Sequence, residues 1–445
     1  MGLRRHELYE TDWTSVKYSV GGSVPKIEKK ALKNGAWLYL LQIFNTVIPL
    51  VTLPYITRIL GPGQYGLFAI ALNLQGYYQA IVEYGFDMSA TRKVALEHPS
   101  NDVLNELYSR ILCSRLLLMA PCIVLTLVYS ILNYGHPEQC ICLVILTAST
   151  IGYCFQLNWL FQGMQCMRFI SIANMVGRLM SVVLIFSFVR SDADLFIYCL
   201  LHSVTPIAVG AISTVFAISQ FDIRFQLVSF KDVCSELKEG WFVFTTQLSS
   251  KIFGAIGLTL LGVFSTSYEA GVYAAIQKIP AVILLAWAPI SQVLYPISSQ
   301  KIAESYSCGR FFVRRACRMI LPLFVGVAVL LAIFARPVTV IAFGAEYASR
   351  YYWMYPLLAW MIVSIVNNFL GIQTLLAGGH DGEYSRCFNI SVVITVIFNI
   401  VLIYFFKGDG ACLAPLLSEV SLCLMLVATV GRLSKEEISS CVQDS

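Results

Sequence analysis

The chain is poor in charge. Only 13% of its 445 residues are Asp, Glu, Lys or Arg, about half the share of a soluble globular domain. A water-soluble protein of this length would need a polar surface that so few charges cannot supply. No GxxxxGK[ST] loop occurs, so the usual cradle for a nucleotide's phosphates is missing. No two cysteines are spaced CxxC, and Cys140-Ile141-Cys142 is too tight for a zinc pair. There is also no long polar stretch between apolar runs, and no acidic pair or nucleophile constellation at a membrane surface that would point to an enzyme of polysaccharide assembly.

What the chain does have is apolar length. Hydrophobic residues make up 57% and the mean hydropathy is +0.71. Runs of roughly 20 apolar residues match a hydrocarbon core about 30 Å thick. They predict about twelve transmembrane helices, at 36–57, 66–86, 111–133, 140–161, 169–189, 195–219, 241–264, 270–297, 316–335, 352–376, 387–406 and 410–431. The first run follows a segment holding Arg4, Arg5, Lys17, Lys26, Lys29, Lys30 and Lys33. That segment is too long for a signal peptide's basic start, so the run reads as a retained first span. Most of the 14 cysteines lie inside these runs, where cysteine acts as a small hydrophobe.

Charge orients the spans. One set of connections carries the N-terminal cations, then Arg92, Lys93, Arg110, Arg168, Arg224, Lys231, Lys238, Lys301, Arg310, Arg314, Arg315, Arg318, Arg386, Arg432 and Lys435. The other carries only Arg58, Arg190, Arg336, Arg350 and Lys407. Excess Lys and Arg marks the cytoplasmic side, so both termini are expected there. The basic loops are explained by topology and give no indication of nucleic acid.

The two halves of the chain repeat one another. Leu32-Lys33-Asn34-Gly35-Ala36-Trp37 resembles Leu237-Lys238-Glu239-Gly240-Trp241-Phe242, an offset of 205. At the same offset Tyr65-Gly66-Leu67-Phe68-Ala69-Ile70 meets Ala270-Gly271-Val272-Tyr273-Ala274-Ala275, and Gln42 meets Gln247. Six spans per repeat give both copies the same orientation, related by an axis along the membrane normal. The expected fold is therefore an all-α polytopic membrane protein of two pseudo-symmetric six-helix bundles. Its expected organisation is an N-terminal cytoplasmic segment (1–35), a first bundle (36–219), a cytoplasmic linker (220–240), a second bundle (241–431) and a cytoplasmic tail (432–445). Facing bundles of this kind suit alternating access around a midplane site. That favours a transporter over an enzyme or a passive scaffold.

Four motifs carry a family resemblance. The segment Pro49-Leu50-Val51-Thr52-Leu53-Pro54-Tyr55-Ile56-Thr57-Arg58-Ile59-Leu60-Gly61-Pro62, followed by Tyr65-Gly66, resembles the first-span signature of Wzx-type polysaccharide flippases. Tyr84-Gly85-Phe86-Asp87-Met88-Ser89-Ala90-Thr91-Arg92, Asn158-Trp159-Leu160-Phe161-Gln162-Gly163 and Pro289-Ile290-Ser291-Gln292-Val293-Leu294-Tyr295-Pro296 resemble that family's later landmarks, in the same order. The resemblance implies the fold of the multidrug/oligosaccharidyl-lipid/polysaccharide exporter superfamily. It further implies transport of an undecaprenyl-diphosphate-linked oligosaccharide, an O-antigen or capsule-type repeat unit, across a bacterial inner membrane. A polysaccharide polymerase and chain-length proteins are the expected partners. A drug or metabolite exporter of the same superfold is the rival reading; carriers of organic cations would be expected to place acids in the cavity.

Such a cargo needs a polar, cationic passage, because a charge at the bilayer centre costs several kcal/mol. Three basic residues inside the spans answer that need: Arg178, Lys251 and Lys278. At the repeat offset Lys251 and Lys278 correspond to the neutral Thr46 and Asn73. One reading has the two lysines bind the diphosphate; the other has them snorkel to an interface or pair with an acid such as Glu83. Arg178 is open to the same two readings. Glu83 and Asp87 lie one helical turn apart with Arg92 beyond, either as a charge pair closing a gate or as carboxylates coupling transport to protons or sodium. Glu419 is a second coupling candidate. Gln42, Asn45, Asn73 and Gln247, with Gln75 and Asn158, offer amides that serve sugar hydroxyls or hold helices together. No cofactor is expected beyond the coupling ion, and no metal. The prolines in the first and eighth spans, Pro49, Pro54, Pro280 and Pro289, predict bends, and Trp159, Trp241 and Trp287 are expected in the interfacial belt.

Overall fold

The computed structural model describes residues 26–97 and 100–443. Most of the expected N-terminal segment, residues 1–25, therefore lies outside the described residues. Helices dominate: α1 (Lys26–Glu83), α2 (Phe86–Glu97), α3 (Asn101–Leu132), α4 (Pro137–Thr147), α5 (Ser149–Phe155), α6 (Asn158–Gly163), α7 (Met167–Phe188) and α8 (Leu195–Phe221) form the first half. The second half holds α9 (Phe230–Phe264), α10 (Ser267–Ile276), α11 (Lys278–Glu304), α12 (Tyr306–Ile333), α13 (Ala335–Phe343), α14 (Met354–Leu370), a π-helical turn Gly371–Leu376 and α15 (Asp381–Gln443). The linker is shorter in backbone terms than the interval 220–240, because α9 already begins at Phe230.

Ten helical stretches among the described residues are long and apolar enough to cross a membrane. Two of them are too long for one crossing: 57 and 53 residues would reach about 80 Å at 1.5 Å per residue. Both fold back at a single residue. Gly61 breaks α1 (φ 67°, ψ 170°), and Lys407 breaks α15 (φ 52°, ψ −124°). Each therefore counts as two crossings, which gives twelve. The repeat is visible in the backbone too. α3 and α12 begin at Asn101 and Tyr306, the same 205 residues apart, and the break at Gly61 has its counterpart in the gap between Phe264 and Ser267.

The crossings place the cation-rich connections at one end of the molecule, called here the basic face, and the turns at Gly61 and Lys407 at the opposite, far face. At the far face the halves meet backbone to backbone. A Cβ on Gly66 would collide with the carbonyl of Ser267 and the amide of Gly271, and one on Gly271 would collide with the carbonyl of Pro62. Gly66 and Gly271 are equivalent positions of the repeat, so the contact straddles the pseudo-symmetry axis. Small residues allow helices in lipid this approach. Beside it, Arg58 donates to the carbonyl of Ile341. The rim of the second bundle is tied by Arg350 to Glu269 at 3.2 Å, by Trp353 Nε1 to Asp409 at 2.7 Å, and by the Gly408 amide to Glu269 at 3.0 Å.

Two local expectations change. Glu83 and Asp87 are not on one continuous helix, because Tyr84 (φ 47°) and Gly85 (φ 79°) take left-handed backbone between them. Trp159 and Trp287 are fully or almost fully buried and pack inside the bundles; their rings fill core space that the interfacial belt would have left empty. Trp241 is exposed.

The far-face contact yields a prediction. Gly271→Leu introduces a side chain where no space exists, and overpacking of this kind costs about 1–3 kcal/mol. A cysteine placed at Leu72, on the cavity wall, should then react faster with an impermeant maleimide supplied from the far face. Unchanged labelling would show that another contact makes the seal.

Candidate functional site

The site forms where helix-breaking chemistry meets polar side chains. Pro280 has no N–H for the Ile276 carbonyl, and α10 gives way to α11 at Gln277. The next side chain, Lys278, lines a cavity of about 660 Å³. Lys278 lies eleven residues into the α10–α11 crossing from its start at Ser267, about 16 Å at 1.5 Å per residue. Arg178, on the same cavity, lies eleven residues into α7 from the basic face. Both cations thus sit near the middle of a hydrocarbon layer about 30 Å thick.

Amides complete the wall. Asn45, Gln79, Gln156, Asn158 and Asn174 face the cavity, together with Glu83, Tyr153 and His202. Gln79 donates to Glu83 at 2.8 Å. Tyr153 lies within electrostatic reach of both Glu83 and Arg178. His202 is half-buried, its Nδ1 is shielded and unpartnered among the described residues, and its ring meets Phe68 edge-on at 5.4 Å. The volume falls within the range of small-molecule pockets, about 300–1,000 Å³.

The two seams between the bundles differ. Along one, the second arm of α1 is tied to α9: Asn73 donates to Thr259 Oγ1 at 2.7 Å and to the Ala255 carbonyl at 3.1 Å, and Tyr77 bonds Thr259 at 2.7 Å. Nearer the basic face Tyr84 stacks on Phe244 with centroids 4.3 Å apart, and Lys93 pairs with Glu236 and Glu239, each at 2.8 Å. The seam related by symmetry lies between the first arm of α1 and α11. There the counterparts of Asn73, Tyr77, Ala255 and Thr259 are Lys278, Val282, Leu50 and Pro54; Val282 and Pro54 carry no polar side-chain atom, so the bonds that Asn73 and Tyr77 make to Thr259 have no equivalent. The two helices barely touch, and Leu50, Leu53, Lys278, Ala281, Val282 and Leu285 all border the cavity. One seam is zipped and the other stands apart.

Of the residues singled out in the sequence, Asn45, Glu83, Asn158, Arg178 and Lys278 come together on the cavity. Asn73 belongs to the zipped seam. Lys251 lies on α9 against Gly76, with its Nζ 3.9 Å from where a Cβ would be. Gln247 is half-buried on α9, while Gln42 and Arg92 are exposed. Gln75 donates to Ser149 at 2.9 Å and acts as helix glue. Glu419 sits inside the second bundle, where Asn367 donates to its carboxylate at 2.5 Å.

A fourth intramembrane cation joins the three read from the sequence. Arg115, five residues into the expected span 111–133, is 1% exposed and pairs with Asp87 at 3.1 Å. It also donates to the carbonyls of Gln156 at 2.5 Å and Tyr153 at 3.2 Å. These carbonyls are freed where the helix breaks between α5 and α6. Arg115 therefore satisfies the broken backbone that presents Gln156 and Asn158 to the cavity, as irregular backbone at membrane depth requires. Asp87 serves this pair, so the carboxylate next to Glu83 is not a free one.

Comparison with known proteins agrees with this architecture. Residues 31–301 match the family described as polysaccharide biosynthesis protein. A protein of Escherichia coli (strain K12) named as an O-antigen transporter is 23% identical over 404 residues, 89% of this chain and 96% of its own. One from Haloferax volcanii named as a low-salt glycan biosynthesis flippase is 21% identical over 389 residues, 86% of this chain and 79% of its own. Among solved structures, an inward-facing MATE multidrug resistance transporter superposes with a TM-score of 0.68 at 13% identity, covering 89% of this chain and 96% of its own. The lipid II flippase MurJ, inward closed, gives 0.61 at 11% identity, over 90% and 87%.

Removing a buried cation that serves three acceptors is costly. Arg115→Ala should lower stability by about 3–5 kcal/mol, the range for breaking a buried pair. Asp87→Asn should cost less, since the two carbonyls still hold the guanidinium. Thermal melting of the detergent-solubilised variants checks the order; equal losses would mean that the carbonyl bonds contribute nothing.

Proposed function

This chain belongs to the polysaccharide biosynthesis protein family, and on that premise we propose that it is a flippase for a lipid-linked oligosaccharide. The cargo class is an undecaprenyl-diphosphate-linked repeat unit, moved across a bacterial inner membrane by alternating access, with the basic face and both termini in the cytoplasm. The relatives named for O-antigen and glycan transport support the reading. The observation that carries it is the cavity itself: two cations near mid-depth, an amide-rich wall, a closed far end and one parted seam.

Each feature answers a physical demand of that cargo. The diphosphate needs positive charge away from water, and a unit charge 4 Å away contributes about 4 kcal/mol at an effective dielectric of 20. That is comparable with the penalty of about 2.5–3.5 kcal/mol for a charge at the bilayer centre. Sugar hydroxyls take bonds from Asn45, Asn158 and Asn174. The lipid tail stays in the bilayer through the parted seam, flanked by Leu50, Val282 and Leu285. Parting Gly66 from Gly271 would then open the far face, and Glu83, on the same wall as the cations, is the carboxylate through which protons or sodium would couple the change. A polysaccharide polymerase and chain-length proteins would receive the product.

Lys278→Glu and Arg178→Glu should each abolish export in cells lacking the native gene, with lipid-linked glycan accumulating on the cytoplasmic leaflet. Lys278→Gln should weaken transport about tenfold, the equivalent of 1.4 kcal/mol. Normal export by both charge-reversed variants would overturn the diphosphate site. In proteoliposomes, Glu83→Gln should stop transport from responding to an imposed proton or sodium gradient; a full response would remove Glu83 from the coupling role.

A further inference from the structure

A recess at the basic face of the second bundle has no part in the cavity. It holds about 120 Å³ between α12, α14 and the end of α15, with Arg310 and Arg314 at its rim and Val366, Phe369, Leu370 and Val430 among its walls. The repeat shows what fills the same place in the first bundle. At the 205 offset, Arg310 and Arg314 correspond to Asn105 and Ser109 on α3. There the Arg224 amide donates to Asn105 Oδ1 at 2.9 Å, and the Gln226 amide donates to Ser109 Oγ at 2.8 Å. The extended chain that follows α8 is thus laid across the groove, with Ile223 buried beneath it. In the second bundle α15 runs on as a helix, and two arginines replace the neutral pair.

That replacement is not explained by topology alone. Excess cations mark a cytoplasmic face, yet they need not line a recess with aliphatic and aromatic walls. Arg310, Arg314 and Arg318 follow one another at four-residue spacing, an arrangement of like charges that opposes helix formation. Arg314, Arg315 and Arg318 are all exposed, and no ion pair joins Arg314 to a carboxylate among the described residues. Guanidinium groups suit phosphate oxygens in a fork geometry. At the depth of lipid headgroups the available phosphate comes with an acyl chain, and basic pockets between transmembrane helices take acidic lipids in this way.

We propose that this recess seats an acidic phospholipid of the cytoplasmic leaflet, its phosphate on Arg310 and Arg314 and an acyl chain along Val366 and Phe369. The lipid takes the place that the linker holds in the first bundle and braces α12 against α14 and α15. The inference rests on the orientation proposed above and is independent of which cargo the cavity carries.

The full-length protein in phosphatidylcholine nanodiscs provides the test. Adding phosphatidylglycerol should raise its melting temperature, and native mass spectrometry should find phosphatidylglycerol retained. Arg314→Gln should weaken that binding about fivefold, as one arginine's share of lipid attraction implies, and Arg310→Gln with Arg314→Gln should abolish the thermal shift. Arg315→Gln, on the same helix outside the recess, should leave it intact. An undiminished shift in the double variant would overturn the site. Equal stabilisation by inorganic pyrophosphate would overturn the lipid and leave a phosphate site. Because cargo flipping is read separately, by the accumulation assay, failure here leaves the flippase reading standing.

Discussion

Everything in this fold depends on two backbones touching at Gly66 and Gly271. A chamber lined with amides and cations is tolerable inside hydrocarbon only if its polar groups answer to one another or to water from a single side. The contact of the two glycines supplies the closure opposite that side. Because they are equivalent positions of a repeat, each presents the other with the same small surface. A methylene added to either is therefore felt on the axis itself, where neither bundle has slack to absorb it.

Symmetry also explains why the molecule is one-sided. Two equivalent seams run between the bundles, and the residues along them have diverged. Asn73, Tyr77 and Thr259 build a ladder on one; at Lys278, Val282 and Pro54 the other has no such ladder among the described residues. The residue that would have zipped the second seam has become the cation at its edge. The same logic recurs at the basic face, where Asn105 and Ser109 grip the linker while their counterparts are arginines. In both places charge stands where the other half carries a neutral hydrogen-bonding side chain.

Much of this was legible in the residues. The twelve crossings follow from apolar run length, and the common offset of 205 anticipated that α3 and α12 would start in register. Lys278 and Arg178 could be found because a cation far from either end of an apolar run has few innocent explanations. Arg115 escapes that rule, because its nearness to the start of its span makes it resemble one more basic residue of the loop. The reversals at Gly61 and Lys407 fall in the short intervals that separate expected spans, where Gly61-Pro62-Gly63 and Gly408-Asp409-Gly410 interrupt the apolar runs; that one residue would carry each turn is not legible. The helix break between Glu83 and Asp87 depends on Tyr84 adopting a conformation that tyrosine seldom takes, which periodicity cannot announce. Trp159 could not be told from a belt tryptophan, because its position near a span end is the same in both cases. That Asn73 would be bonded and Lys278 open to the cavity required the packing of helices distant in sequence.

The single-residue reversals have a further consequence. At Gly61 and Lys407 the chain turns back without spending residues on a loop, so these parts of the far surface stand almost flush with the surrounding lipid. Antibodies, proteases and soluble binding proteins find little there to hold. Surface for a soluble partner on that side is left to the longer connections, such as the one between Leu132 and Pro137, where Tyr134 is exposed, and the segment Ala345–Trp353.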